Sequence, residues 1–278
     1  MFGVGNFVAL FWLALDSITH RKTRSFLTML GIFIGVASVV ALIALGQGLS
    51  ESINSEFAKI GVDKLSVSPG GGSFGSMYTS KKLTDRDFDA VKRVAGVERA
   101  GYMITQSERV QHGGKTVFAQ VHGISTASED AGAIEDFRSI EVDKGRLLNS
   151  NDKYKVLVGA KFNADNVYGS EIKLNDVVVI NSTAFRVVGM LKKVGDPSID
   201  GAFIIPGDAA KEMVSASGYN MFVVQLAKGL IPSEERPTIE KALRQSRGVS
   251  KGHEDFKVST SEQLLESFNT IFNVVQVI

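Results

Sequence analysis

Residues 24–51 read RSFLTMLGIFIGVASVVALIALGQGLSE, and no charged side chain occurs in the 26 positions between Arg24 and Glu51. Within that run, Phe26 to Gly46 is interrupted only by Gly, Ser and Thr. A helix of this extent is about 32 Å long, which matches the hydrocarbon core of a bilayer. A buried helix of a soluble domain is usually shorter and carries a polar stripe. The stretch therefore predicts a transmembrane helix. Gly31 and Gly35 form a G-x-x-x-G, and Ala37/Ala41 and Ala44/Gly48 repeat the spacing. Small residues one turn apart let a second helix approach closely in lipid, although glycine is also simply common in membrane spans.

The flanks set the expected orientation. His20-Arg21-Lys22-Thr23-Arg24 precedes the span, with Arg21, Lys22 and Arg24 as its basic border, and Glu51 and Glu56 follow it. Positive charge favours the cytoplasmic side, so the N-terminus is expected in the cytoplasm and the chain beyond about residue 47 outside. Ala44-Leu45-Gly46 resembles a signal-peptidase site, but the apolar run exceeds the roughly 7–15 residues of a signal-peptide core, so an uncleaved anchor is expected. Ahead of it, Phe7–Leu15 (FVALFWLAL) holds the single Trp, Trp12, and is too short to span. Its helical spacing of apolar residues suggests a helix lying in the cytoplasmic interface or packed on a partner. At the other end, Leu264–Ile278 (LLESFNTIFNVVQVI) has one charge, Glu266, and reads either as a helix returning to the membrane or as a docking helix of the domain itself.

The whole-chain averages hide this division. Lys+Arg number 31 against 30 Asp+Glu, 44% of residues are hydrophobic and there is no Cys. Such a composition excludes disorder and a disulfide scaffold, and the near-neutral charge argues against a nucleic-acid partner. Thiolate metal sites and Cys nucleophiles are excluded outright. Between the apolar ends, the sequence alternates short strand and helix signals. Ser50–Ile60 extends the first helix, with Ile53, Phe57 and Ile60 on one face and Gly61 placed to end it. Lys64–Ser68 reads as a strand, and Thr84-Asp85-Arg86-Asp87 is a capping box opening a helix over 85–94. Strands are predicted at 97–104, 106–112 and 116–123, the last two turning at Gly113-Gly114. After a variable stretch near 125–150 come strands at 155–158, 171–180, 184–191 and 202–205. Asp208 is expected to cap a helix through Val214. A second strand–helix–strand unit covers 220–227, 235–246 and 255–259. The expected fold is thus an α+β extracytoplasmic domain on a transmembrane helix. It has two β-α-β units, with a small β-rich subdomain inserted over about 126–207.

Catalytic motifs are sparse. Gly71-Gly72-Ser73-Phe74-Gly75 matches G-x-S-x-G but lacks the strand and helix of a nucleophile elbow. Ser73→Ala is expected to change no activity. Asp85, Asp87 and Asp89 resemble a calcium loop, yet Ala90 and Gly96 stand where Gly and Glu are required, so a helix N-terminus is the better reading. His20, His112, His122 and His253 lack the i, i+4 pairing of a metal site; His112 and His122 could meet across their hairpin, where a solvated pair is a better reading than a metal site. No phosphate-binding loop for ATP occurs, no cofactor is implied, and Asn181-Ser182-Thr183 is a formal glycosylation acceptor.

Taken together, Arg24–Val40 with Ala44-Leu45-Gly46-Gln47-Gly48 resembles the first span of MacB-type ABC transporter permeases, a family that includes lipoprotein-releasing permeases and FtsX-like proteins. Lys155–Gly159, Ile172–Ile180, Phe185–Leu191 and Phe203–Pro206 are similar to that family's periplasmic core domain, in the same order. The resemblance implies a permease half working as a homodimer, or a heterodimer with another permease, in the lipid bilayer. Gly31 and Gly35 would lie at the contact, and Gly48–Ile60 and Leu264–Phe272 would form a stalk. It also implies a separate ABC ATPase partner that drives export or extraction on the outer side, with an adaptor or envelope partner. By the same comparison, residues 1–24 form the in-plane helix and basic turn, 25–60 the span and stalk, 61–263 the core domain and 264–278 a second span cut short. The alternative is an FtsX-like anchored binding or regulatory module without transport.

Overall fold

The structure is a computed structural model. It describes residues 12, 22–60, 63–70, 82–127, 130, 132–137, 140–164, 167–169, 171–213 and 218–263. The expected in-plane helix, Arg21, Gly61, Ser73 with its glycines, and the 264–278 segment lie outside these residues, apart from Trp12. The chain divides between Asn54 and Ser55 into two units. The division falls inside the first helix, α1 (Lys22–Ile60).

The outer unit begins with β1 (Lys64–Pro69), α2 (Asp85–Lys92), β2 (Val97–His112) and β3 (Lys115–Ile124). Next come α3 (Ala133–Phe137), β4 (Val142–Gly145), β5 (Lys155–Val158), α4 (Lys161–Ala164), β6 (Val177–Ile180) and β7 (Thr183–Leu191). The remainder is α5 (Pro197–Asp200), β8 (Ala202–Pro206), α6 (Gly207–Met213), β9 (Met221–Leu226), α7 (Pro232–Arg247) and β10 (Phe256–Thr260). The α+β character expected from the sequence is what the structure has. Both β-α-β units are split, because the strands of each are separated by a strand of the other. The order is β10-β1-β9-β2, antiparallel throughout, which is the ferredoxin-like interleaving of two such units.

One face of this four-stranded sheet carries Leu65, Val67, Ala100, Phe222, Val224 and Val258, and on it pack Phe88 and Val91 of α2 with Ile239 and Leu243 of α7. These helix positions are three or four residues apart, so each helix buries a single stripe. The opposite face joins Met103, Met221 and Val223 to Ile134 of α3. Thr84 caps α2 as expected: its hydroxyl accepts the Asp87 N–H, and the Asp87 carboxylate accepts the Thr84 N–H at 2.9 Å.

The segment between β2 and β9 supplies a second closure. β2 pairs with β3, β3 runs parallel to β8, β8 pairs with β5, β5 runs parallel to β7, β7 pairs with β6, and β6 returns to β2 through Val110–Ile180 and Gln111–Val179. Six strands therefore form a closed ring with no free edge among its members. Its interior is filled by Val121, Val156, Phe185, Val187 and Phe203, with the Phe162 ring centroid 4.5 Å from that of Phe203.

Several local expectations change. The strands expected at 97–104 and 106–112 are one 16-residue strand. The expected gap at residue 105 lies where β2 exchanges β9 for β6 along one edge, and there the Asn220 side chain accepts the Thr105 N–H at 2.8 Å. The strand expected from 171 begins only at Val177, because Asp176 accepts the Lys173 N–H and Asn175 takes a positive φ, which closes a turn. The stretch near 125–150 holds α3 and β4. Asp208 sits inside α6, which begins at Gly207, so it is not a flanking cap; Val214 lies outside the described residues. The hairpin at Gly113-Gly114 forms with positive φ at both residues, and Asn181-Ser182 makes a second turn of the same kind between β6 and β7.

Two contacts fix the layers. Arg247, at the end of α7, donates to Asp255 at 2.6 Å and 2.9 Å and to Asp87 at 2.6 Å. Asp87 is almost fully buried, so removing Arg247 would leave its charge without that cation, held only by neutral donors from Thr84 and Ser246. Arg247→Leu is expected to destabilise the outer unit by about 3 kcal/mol in urea titrations of the detergent-solubilised chain followed by circular dichroism. A loss below about 0.5 kcal/mol would mean that the pair behaves as a solvated one. Where β3 meets α6, a Cβ on Gly123 would lie 2.2 Å from the Ala210 Cβ. Gly123→Ala is expected to cost about 2 kcal/mol by overpacking, and adding Ala210→Gly should recover most of it.

Candidate functional site

Two features stand out, one in each unit, and each is described by itself. The first is α1. Ser25–Gly48 is long and apolar enough to cross a membrane, with a mean hydropathy of 2.6, and none of its apolar window is buried against the rest of the chain. Phe33 is 77% exposed and Leu45 69%. A core helix of a soluble protein would have these side chains covered. Lys22 and Arg24 lie on helical backbone at its start, while their side chains, like those of residues 49–60, lie outside the described ones.

Gly31, Gly35, Ala37 and Ala41 are all exposed, and a Cβ built on either glycine meets nothing within 4 Å among the described residues. At about 100° per residue, Gly31 and Gly35 lie on one side of the helix, and Ala37 and Ala41 on another about 120° away. The two pairs therefore lie on different sides of α1.

The second feature is a junction of aromatic and charged residues where α2, β2, α6 and the start of β9 meet. Tyr102 and Tyr219 are buried with ring centroids 4.6 Å apart, and Phe88 stands edge-on to Tyr102 at 5.3 Å. Each phenol is held by a carboxylate. The Tyr102 hydroxyl donates to Asp208 at 3.3 Å, and the Tyr219 hydroxyl donates to Asp85. Lys211 Nζ lies 4.6 Å from the Tyr102 centroid, 5.1 Å from that of Tyr219 and 3.4 Å from Asp85 Oδ1. The electrostatics agree with this geometry. Burial and the neighbouring carboxylates push both phenols up from their ordinary range, whereas the Tyr219 hydroxyl, with Lys211 behind it, holds Asp85 down. Gly207 is required here, because a Cβ would lie 2.5 Å from Tyr102 Cε2.

The residues weighed for chemistry fall elsewhere. Asp85 and Asp87 occupy the first turn of α2, as the helix N-terminus reading expects. His112 and His122 do not meet. His112 pairs with Lys115 at the hairpin end, and His122 pairs with Thr105, about 23 Å along the strand. His122 is not solvated either: it is buried between Thr105 Oγ1 at 3.0 Å and the Ser198 carbonyl at 2.8 Å. Among the described residues, no three His, Asp or Glu converge as metal ligands. Glu135 is buried with one carboxylate oxygen lacking a partner among the described residues, and burial pushes it up from the usual range. The aromatic junction had no signature in the sequence, because its members span residues 85 to 219 with no shared spacing.

With this geometry in view, the chain can be compared with known proteins. Residues 25–245 match the MacB-like periplasmic core domain. An uncharacterised ABC transporter permease of Methanocaldococcus jannaschii is 32% identical over 265 residues, covering 95% of this chain and 64% of its own length. The macrolide export ATP-binding/permease protein MacB of Campylobacter jejuni is 29% identical over 91% of this chain and 39% of its own length. The chain thus spans just under two thirds of the first relative and about two fifths of the second. Among solved structures, the periplasmic region of MacB from Actinobacillus actinomycetemcomitans superposes with a TM-score of 0.62 at 18% identity, over 78% of this chain and 97% of that one. The extracellular domain of the noncanonic ABC-type transporter YknZ from Gram-positive bacteria gives 0.54 at 17% identity, over 71% of this chain and 100% of that one. By the match running from the apolar helix through both strand systems, the chain belongs to the MacB-like family of ABC transporter permeases.

Proposed function

We propose that the chain is the first membrane span and outer domain of a permease subunit of the MacB and lipoprotein-release type. In this reading, ATP hydrolysis by a separate ATPase subunit is coupled to export or extraction of a substrate on the outer side of the cytoplasmic membrane. The observation that carries the reading is a family match that starts inside an exposed apolar helix and continues through the outer domain. Residues 1–24 lie on the cytoplasmic face, with Arg21, Lys22 and Arg24 holding that orientation. Residues 25–60 cross the membrane and lead into the outer domain, 61–263, in which the segment of about 126–207 is an insertion. Residues 264–278 return toward the membrane. Gly31 and Gly35 pack against a second permease chain, and Ala37 and Ala41 against another span, in keeping with their separation around α1.

Because the chain has no Cys, its placement can be tested with single cysteines. A membrane-impermeant maleimide should label Lys193→Cys in intact spheroplasts, and Ser17→Cys only after lysis; the reverse pattern would overturn the orientation. Gly31→Leu with Gly35→Leu should cut self-association in the membrane at least tenfold, and unchanged crosslinking would mean that the glycine spacing is incidental. A cytoplasmic ATPase subunit should co-purify with the tagged chain from gently solubilised membranes. An outer-side partner recovered repeatedly without any ATPase would favour an anchored binding module instead.

A further inference from the structure

In the aromatic junction, the Lys211 ammonium lies over the rings of Tyr102 and Tyr219. Two tyrosine faces lie within about 5 Å of one ammonium nitrogen, and carboxylates flank both rings. This is the arrangement by which proteins recognise organic ammonium groups, since the electron-rich ring faces attract a cation that carries apolar substituents.

Three observations separate this arrangement from a simple surface staple. First, the tyrosines do not depend on Lys211 for their positions. Their hydroxyls are tied to Asp85 and Asp208, their rings pack against Phe88, and Tyr219 also packs against Phe222 at 5.4 Å. Removing the lysine therefore leaves the box standing. Second, the ammonium position is open to solvent: the Lys211 side chain is 39% exposed and that of Asp85 81%. Third, an exposed pair such as Lys211–Asp85 contributes little to stability, so holding α6 down accounts poorly for so much organised aromatic surface.

We infer that Tyr102, Tyr219, Asp85 and Asp208 form a binding site for the ammonium group of an organic amine, primary or N-methylated, with Lys211 as a built-in competitor. A ligand amine enters by displacing the Lys211 ammonium, which moves to solvent. The inference rests on the geometry of the outer unit alone, so it stands or falls independently of the transport reading.

The test uses the full chain in detergent micelles with ¹³C-labelled tyrosine rings, five in all, assigned by Tyr→Phe variants. Choline chloride is titrated at ionic strength held constant with sodium chloride, and 3,3-dimethylbutanol serves as the neutral isostere. In Lys211→Ala, the Tyr102 and Tyr219 signals should shift saturably with choline, with a Kd at least tenfold lower than in the parent chain. The neutral isostere should leave them unmoved, and adding Tyr219→Leu should weaken choline binding at least tenfold. Lys211→Ser serves the same comparison if Lys211→Ala loses its tyrosine dispersion. Insensitivity of both folded variants to choline would overturn the inference, as would an equal response to dimethylbutanol.

Discussion

The outer unit is organised around a single strand that two strand systems share. Val97–Met103 of β2 pairs with β9 and belongs to the ferredoxin-like sheet, whereas Met103–His112 pairs with β3 and, at its end, with β6 to close the six-stranded ring. Backbone N–H and C=O groups in a sheet interior must find partners, so the point where β2 changes neighbours has to be bridged. Asn220 does this, accepting the Thr105 N–H through its side chain and donating its own N–H to the Met103 carbonyl at 2.9 Å. Because the strand is continuous, neither strand system can shift register without dragging the other. The inserted segment is therefore not a module hung on a flexible linker.

The contacts around this strand reinforce it from both faces. α6 leaves β8 of the ring and lands on β2 through Gly207 against Tyr102 and on β3 through Ala210 against Gly123. α2 and α7 are tied to each other and to the approach of β10 by the Arg247 network. The Arg247 contacts thus sit at helix ends, where they lock layers, while the sheet faces are held by apolar packing.

Much of this was legible because it is local. The charge-free run announces α1, a Thr and an Asp three residues apart announce the cap of α2, and Gly113-Gly114 announces a hairpin. The succession of strand and helix signals was sufficient for the α+β class. What escaped was non-local. Nothing in Lys64–Ser68 or 220–227 says that each strand will lie between the two strands of the other unit, since that choice is made by burial of both apolar faces at once. The expected gap at Thr105 is closed by the Asn220 side chain, which lies over a hundred residues away. His122 was read as solvated for the same reason: its partners Thr105 and Ser198 are brought to it only by the pairing of β3 with β2 and by the turn before β8. The aromatic box is the extreme case, assembled from four elements with no pattern in the chain.

The continuity of β2 is open to one direct measurement. Native-state hydrogen exchange on the full chain in micelles should give the hydrogen-bonded amides of residues 100–111 one common opening free energy, shared with β9 on one side and β3 on the other. Two separate classes would contradict the account, with residues 106–111 and β3 opening while residues 100–103 and β9 stay closed.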